Sequence, residues 1–161
     1  MHGTSYNGIS SLIDIFLDKK KHYNIIDVGS FDVNGTYRPI FQDNPNWTYF
    51  GVDIVAGKNV DKVILPYNWD IPDESYDLVL SGQCLEHVEM PWLWITEIYR
   101  ICKKDGLIIL TAPWNFFIHK HPVDCWRILP DGMTVLLTKV INTTILHLSI
   151  NNTDTFAVAR K

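Results

Sequence analysis

No apolar stretch of the 161-residue chain is long enough to span a bilayer, so the sequence predicts no membrane-crossing helix. The opening residues, Met1-His2-Gly3-Thr4-Ser5, lack both the basic and the apolar region of a secretory signal, and a cytoplasmic location is the expectation. Cysteine is scarce. Cys84, Cys102 and Cys125 are odd in number and show no C-x-x-C spacing, which argues against a disulfide framework and against a structural zinc site. Basic charge is also short: 14 Lys and Arg face 18 Asp and Glu, for a net charge of −4. The longest basic run, Lys19-Lys20-Lys21, follows an apolar-periodic segment and reads as a solvated helix end favoured by the helix dipole. Nucleic acid, which selects a basic face, is therefore not an expected partner. A dinucleotide fingerprint is missing too. Where G-x-G-x-x-G would place glycines after Gly29 the chain has Phe31 and Asn34, and Asp32 adds negative charge where a pyrophosphate would rest.

What is present is an alternation of short apolar runs and helical patterns, without repeats or linkers, over a length that suits a single domain, residues 1–161. Apolar residues Ile9, Leu12, Ile13 and Phe16 fall on one face of a helix over 5–17. Strands are predicted over 24–28, 47–54, 62–65 and 76–81. A helix opens at Pro91 and runs to Lys104, with Asp105-Gly106 as its left-handed cap. The run Leu107 to Ala112 reads as a buried central strand, and a short helix is expected over 130–139. Two β-rich runs, 141–150 and 155–160, flank Asn151-Asn152 as a hairpin. The fold class that follows is α/β: a mostly parallel sheet with a C-terminal antiparallel hairpin and helices on both faces. Trp92 and Trp94 cannot both face the core of one helix, so one is a candidate for a contact with a second subunit, as in a homodimer.

The chemistry-bearing residues begin where the first strand ends, in Asp27-Val28-Gly29-Ser30-Phe31. Ligands of parallel sheets bind at the carboxyl ends of strands, and Gly29 lets the backbone turn there without a Cβ in the way. Asp53, ending the second strand, can accept both hydroxyl hydrogens of a ribose. Carboxylates around this loop suit a sulfonium cofactor with an amino group better than a pyrophosphate. The ordered set Asp27-Val-Gly29-Ser, Gly51-Val-Asp53, Tyr76-Asp77-Leu-Val-Leu-Ser81, Leu85-Glu86-His87-Val88 and Gly106-Leu-Ile-Ile-Leu resembles class I S-adenosylmethionine-dependent methyltransferases, in the broad branch that includes ubiquinone-pathway-type enzymes. The resemblance covers about residues 22 to 135. It implies a Rossmann-like seven-stranded sheet and S-adenosylmethionine as cofactor. Asp27, Gly29, Ser30 and Phe31 would lie along its methionine part, Asp53 would hold its ribose, and Ile54 would pack on its adenine. Gln83 would line the wall towards the acceptor. In the family a glycine commonly stands where this chain has Phe31, so its loop is expected to take another path, with Gly35 as the permissive position.

Methyl transfer to a hydroxyl needs a positioned acceptor and a base. Two segments offer one: Gln83-Cys84-Leu85-Glu86-His87, and the loop from His119 through His121 to Arg127. His121, His119 and His87 are the candidate bases, because neutral imidazole is available near physiological pH. Glu86, His87, His119 and His121 also resemble a Glu-x-x-Glu-His metal pattern with a distant histidine. Gln83 replaces its first glutamate, so a divalent metal is not expected. Trp114, Trp126 and Arg127 are candidate acceptor contacts beside Phe116 and Phe117: flat rings stack on a sugar face or an aromatic acceptor, and Arg127 either holds an anionic group or pairs with Asp124 or Asp131. Segments 30–38 and 121–127 further resemble a methyltransferase subgroup associated with surface-glycan and polysaccharide modification. The expectation is an O-methyltransferase acting on a sugar hydroxyl of a glycan or nucleotide-sugar precursor. The rivals are a phenol- or quinone-type small-molecule enzyme and a non-catalytic cofactor-binding module that partners another enzyme.

Overall fold

The computed structural model describes residues 3–161. Helix α1 (Gly3–Phe16) leads into β1 (Tyr23–Val28), the short α2 (Arg38–Gln42), β2 (Trp47–Asp53), β3 (Lys62–Val63) and β4 (Tyr76–Gly82). A single 3-10 turn at Leu85–His87 precedes α3 (Pro91–Ile101), β5 (Cys102–Pro113), α4 (Pro130–Val135) with a π-helical extension Leu136–Val140, and the hairpin β6 (Thr144–Ile150) and β7 (Asp154–Arg160). The seven strands form one sheet in the order β3-β2-β1-β4-β5-β7-β6. β1 to β5 are parallel neighbours, and β7 inserts antiparallel between β5 and β6. The expected Rossmann-like α/β sheet with a terminal antiparallel hairpin is what the chain forms. None of the described helices is long and apolar enough to cross a membrane.

Strand alternation divides the core into two layers. On one face α1 lays Ile9, Leu12 and Ile13 over Ile25, Leu78, Leu80, Ile109 and Val158. On the other, α3 packs Trp94, Ile95, Ile98 and Ile101 against Ile26, Val79, Ile108 and Leu110, and α4 adds Met133 and its extension Leu137. Burial at positions 94, 95, 98 and 101 is the stripe of an amphipathic helix, and it turns Trp92 outward, 49% exposed against 4% for Trp94.

Two local expectations need correction. The helix ends at Ile101, not Lys104, because Cys102 already pairs with Tyr76 and the chain enters β5 directly. The left-handed residue is Asp105, with φ of 61°, inside a register shift of the β4–β5 pairing rather than at a helix cap. Gly106 is required there because a Cβ would strike the Lys103 carbonyl and the Cys102 sulfur. Helix α2 had no signal in the sequence: five residues are too few for apolar periodicity, and Pro in its first turn fixes it instead.

Candidate active site

The sheet's order reverses between β1 and β4, and the loops leaving β1, β2 and β4 open a cleft at that point. Two cavities fill it. One, of about 240 Å³, is walled largely by apolar groups, among them Ile54, Ile64, Pro66, Tyr67, Trp69 and Trp94. The other, of about 380 Å³, runs between Phe31, Tyr37 and Gln83 on one side and Phe116, His119 and His121 on the other. Asp53, Cys84 and His87 belong to both, so the carboxylate at the end of β2 stands where the two meet.

The loop after β1 is built around that carboxylate. Asp53 Oδ2 accepts the Phe31 N–H at 3.0 Å, and Oδ1 accepts the Val55 N–H at 3.2 Å. Each oxygen keeps a lone pair for a further donor. Gly29 has φ of 82° and lies against Cys84, where a Cβ would collide with the thiol. Gly35, at φ of 131°, is the second permissive position, and its N–H donates to Asp32 at 2.7 Å. The Phe31 ring rests on Gly57, in space a Cβ there would fill. Gln83 takes φ of 57°, lines the larger cavity and donates its amide to Asp154 Oδ1 at 3.0 Å.

Gly29, Phe31, Asp53, Ile54 and Gln83 are thus brought to the cleft. Asp27 and Ser30 lie behind its wall. The Ser30 hydroxyl donates to the Asn59 carbonyl at 3.1 Å, and Asp27 is buried with its Oδ2 accepting the Tyr49 hydroxyl at 2.6 Å. Burial pushes Asp27 up to about 7, against the pull of the Tyr49 hydrogen bond.

Across the cleft, the loop after β5 folds back onto the 3-10 turn. The Glu86 carbonyl accepts the N–H groups of Cys125 and Trp126 at 2.7 and 3.1 Å. The Asp124 carboxylate accepts the His119 N–H at 2.7 Å and grips Arg127 through both oxygens, at 2.7 and 2.8 Å. That guanidinium holds Asp124 far below the usual carboxylate range. The remaining donors of Arg127 go to the carbonyls of Phe116, Phe117 and Trp126, so all five are spent inside the loop. Of the two roles open to Arg127, the structure has the Asp124 pair.

The three candidate bases meet here: the His87 ring centroid is 4.9 Å from that of His119 and 6.3 Å from that of His121. Burial holds His87 below the usual imidazole range, so the ring is neutral at neutral pH. The Glu86 side chain beneath them is completely buried, which pushes its carboxyl up to about 8. Among the aromatics, Phe116 and Phe117 stack at 4.3 Å on the rim of the larger cavity. Trp126 is partly exposed and donates its indole N–H to the Val88 carbonyl at 2.7 Å. Trp114 faces away from the cavity, with its N–H on the Asn151 carbonyl of the β6–β7 turn at 2.9 Å.

With a switch-point cleft, a carboxylate at the end of β2 and a glycine turn after β1 in place, the match to known proteins decides the family: residues 27–110, half of the chain, match the methyltransferase-domain family. The chain belongs to that family. An uncharacterized methyltransferase of Mycobacterium bovis is 42% identical over 41 residues, which span 26% of this chain and only 16% of the relative. Solved structures share the fold at low identity. A SAM-dependent methyltransferase from Methanosarcina mazei superimposes with a TM-score of 0.74 at 14% identity, covering 93% of this chain and 96% of that one. The Burkholderia thailandensis 1,6-didemethyltoxoflavin-N1-methyltransferase, bound to 1,6-didemethyltoxoflavin and S-adenosylhomocysteine, gives 0.77 at 14% identity over 98% of this chain and 78% of that one. The [4+2]-cyclase SpnF gives 0.75, also at 14%, over 96% and 80%. An N-methyltransferase and a cyclase on one fold show that the fold alone does not choose the reaction.

Sequence reasoning missed part of the methyltransferase domain's cleft. Pro66, Tyr67 and Trp69, from the β3–β4 connection, wall the apolar cavity, and Glu97 anchors them by accepting the Trp69 N–H at 2.8 Å. Their signal was two aromatic residues in a segment that must cross the carboxyl end of a parallel sheet.

Proposed function

We propose that this domain binds S-adenosylmethionine across the two cavities and methylates a hydroxyl oxygen, with a sugar of a glycan or nucleotide-linked precursor as acceptor. The observation that carries the reading is Asp53 at the junction of an apolar cavity and a histidine-lined one. The residues fit such a cofactor: Asp53 has lone pairs free for two ribose hydroxyls, and Ile54, half exposed beside it, offers an apolar face for adenine. Bound there, the cofactor supplies a methyl group carried on a sulfonium. The larger cavity takes the acceptor, Phe116 and Phe117 give a sugar face something flat to lie against, and Gln83 lines the wall opposite them.

His121 is the proton acceptor in this reading. His87 has Nδ1 fixed on the Val123 carbonyl at 2.6 Å and His119 has Nδ1 on the Phe117 carbonyl at 3.2 Å, while His121 borders the same cavity on its exposed side. Its free ring nitrogen would take the hydroxyl proton as the oxygen gains the methyl.

Calorimetric titration with S-adenosylmethionine and S-adenosylhomocysteine tests the first half, with Asp53→Ala as control. Micromolar binding that disappears in the variant is the expected result, and no binding by folded protein would refute it. Acceptor screening then separates sugars from phenols: turnover of phenols alone would replace the sugar with a flat aromatic acceptor on the same Phe116–Phe117 platform.

A further inference from the structure

We propose that Glu86, His87 and His119 form a divalent metal site open to the larger cavity. Their ligand atoms all lie within 4.8 Å of one another, the one such grouping among the described residues. Glu86 is 0% exposed, and neither of its carboxylate oxygens has a hydrogen-bond partner. The other fully buried carboxylates, Asp27 and Asp154, each accept donors. A carboxyl group stripped of water and left without hydrogen-bond partners is costly in either protonation state unless something else fills the gap.

The two histidines do not supply a donor. The Val123 carbonyl only accepts, so the His87 nitrogen facing it, Nδ1, carries the hydrogen and Nε2 presents a lone pair, 3.7 Å from Glu86 Oε1. In the neutral His119 ring the Phe117 carbonyl likewise places the hydrogen on Nδ1 and leaves Nε2 as a lone pair, 4.0 Å from the same oxygen. Two ring lone pairs and the carboxyl therefore point at one another with no hydrogen bond between them. A proton cannot bridge these separations, which exceed hydrogen-bond length. An ion with ligand bonds of about 2.0–2.1 Å needs neighbouring ligands about 3.3 Å apart, a modest closure that His119 can make from its loop.

Two imidazoles and a carboxylate suit zinc and the neighbouring first-row divalent ions. Each ring's outer nitrogen is already tied to a backbone carbonyl, as ligating histidines usually are. Gln83, whose amide goes to Asp154, takes no part. The fourth position faces the cavity that His121 borders, so an ion there would polarise an acceptor hydroxyl. That consequence rests on the methyl-transfer reading above, whereas binding of the ion does not.

The test is titration of the metal-free full chain with cobalt(II) and with zinc(II), without cofactor, followed by calorimetry and the cobalt absorption spectrum. One equivalent should bind, with a nitrogen–oxygen spectrum that lacks thiolate charge transfer. Glu86→Gln and His119→Ala should each weaken binding about 100-fold or more, and His22→Ala, on the far surface, should leave it unchanged. Circular dichroism checks folding, and if Glu86→Gln fails to fold, His119→Ala on its loop decides. No stoichiometric binding, or an affinity unmoved by His119→Ala, overturns the site. Cofactor titration is scored separately: cofactor binding without metal binding sinks the metal site alone, and metal binding without cofactor binding sinks the methyl-transfer reading alone.

Discussion

Asp27→Asn should make the fall of stability with rising pH shallower between about pH 4 and pH 7, leaving only the part that comes from Glu86. An aspartate in the unfolded chain titrates near its ordinary value of 3.8, whereas burial in the folded protein pushes Asp27 up to about 7. Between those limits the folded state holds a proton that the unfolded state has released. The Asp27 contribution to stability therefore falls as pH rises through the window, is greatest below it and levels off above it. At 1.36 kcal/mol per pH unit, the loss amounts to about 4 kcal/mol. Asparagine keeps an oxygen for the Tyr49 hydroxyl and never ionises. Urea unfolding followed by tryptophan fluorescence, at half-unit steps from pH 4 to 8, gives the two curves. Their difference isolates Asp27, because the other shifted carboxyls contribute equally to both proteins: Glu86, raised by burial, acts with the same sign, whereas Asp32, Glu97 and Asp124, held low by Lys58 and Arg partners, act at lower pH with the opposite sign. Parallel curves across the window would show that the carboxyl is not desolvated as its burial implies.

Asp53→Ala should weaken S-adenosylhomocysteine by about 3 kcal/mol, roughly a hundredfold in Kd, read by calorimetry, since it removes charged acceptors for ribose hydroxyls. His121→Ala should lower kcat by a factor of about 100 or more while cofactor affinity stays unchanged, and a matching fall in affinity would argue against a role as base. Arg127→Ala strips the buried Asp124 of both guanidinium bonds. It should destabilise the loop by about 3 kcal/mol, visible as faster proteolysis between Pro113 and Leu129. Trp94→Ala should cost about 3–5 kcal/mol in chemical denaturation, while Trp92→Ala stays near neutral, because only Trp94 fills the core beneath α3.

Much of the fold was legible because its signals are local. Apolar runs bounded by turn residues located β1, β2, β4 and β5 within a residue or two at most ends. The exception is the start of β5, where Asp105-Gly106 looks like a helix end but is a bulge within the strand. The hairpin around Asn151-Asn152 was legible for the same reason: the Asn151 side chain accepts the N–H groups of Thr153 and Asp154, a turn closed by adjacent residues. In the site, the ordered motifs carried Gly29, Asp53, Ile54 and Gln83 to the cleft. They could not tell which residues face it. Asp27 and Ser30 are on the motif but turned behind the wall, and Trp114 belongs to an aromatic loop but serves the hairpin.

The sequence by itself determined the family, the order of strands and helices, and the pairing of a glycine turn with a carboxylate at the next strand's end, since each is written in spacing along the chain. Only the tertiary structure decided that Arg127 is consumed by Asp124, that Trp92 rather than Trp94 faces outward, and that Glu86 is buried without a donor between two histidines, one of them 33 positions away. Desolvation and lone-pair direction depend on what the other loops bring close, and no local pattern encodes them.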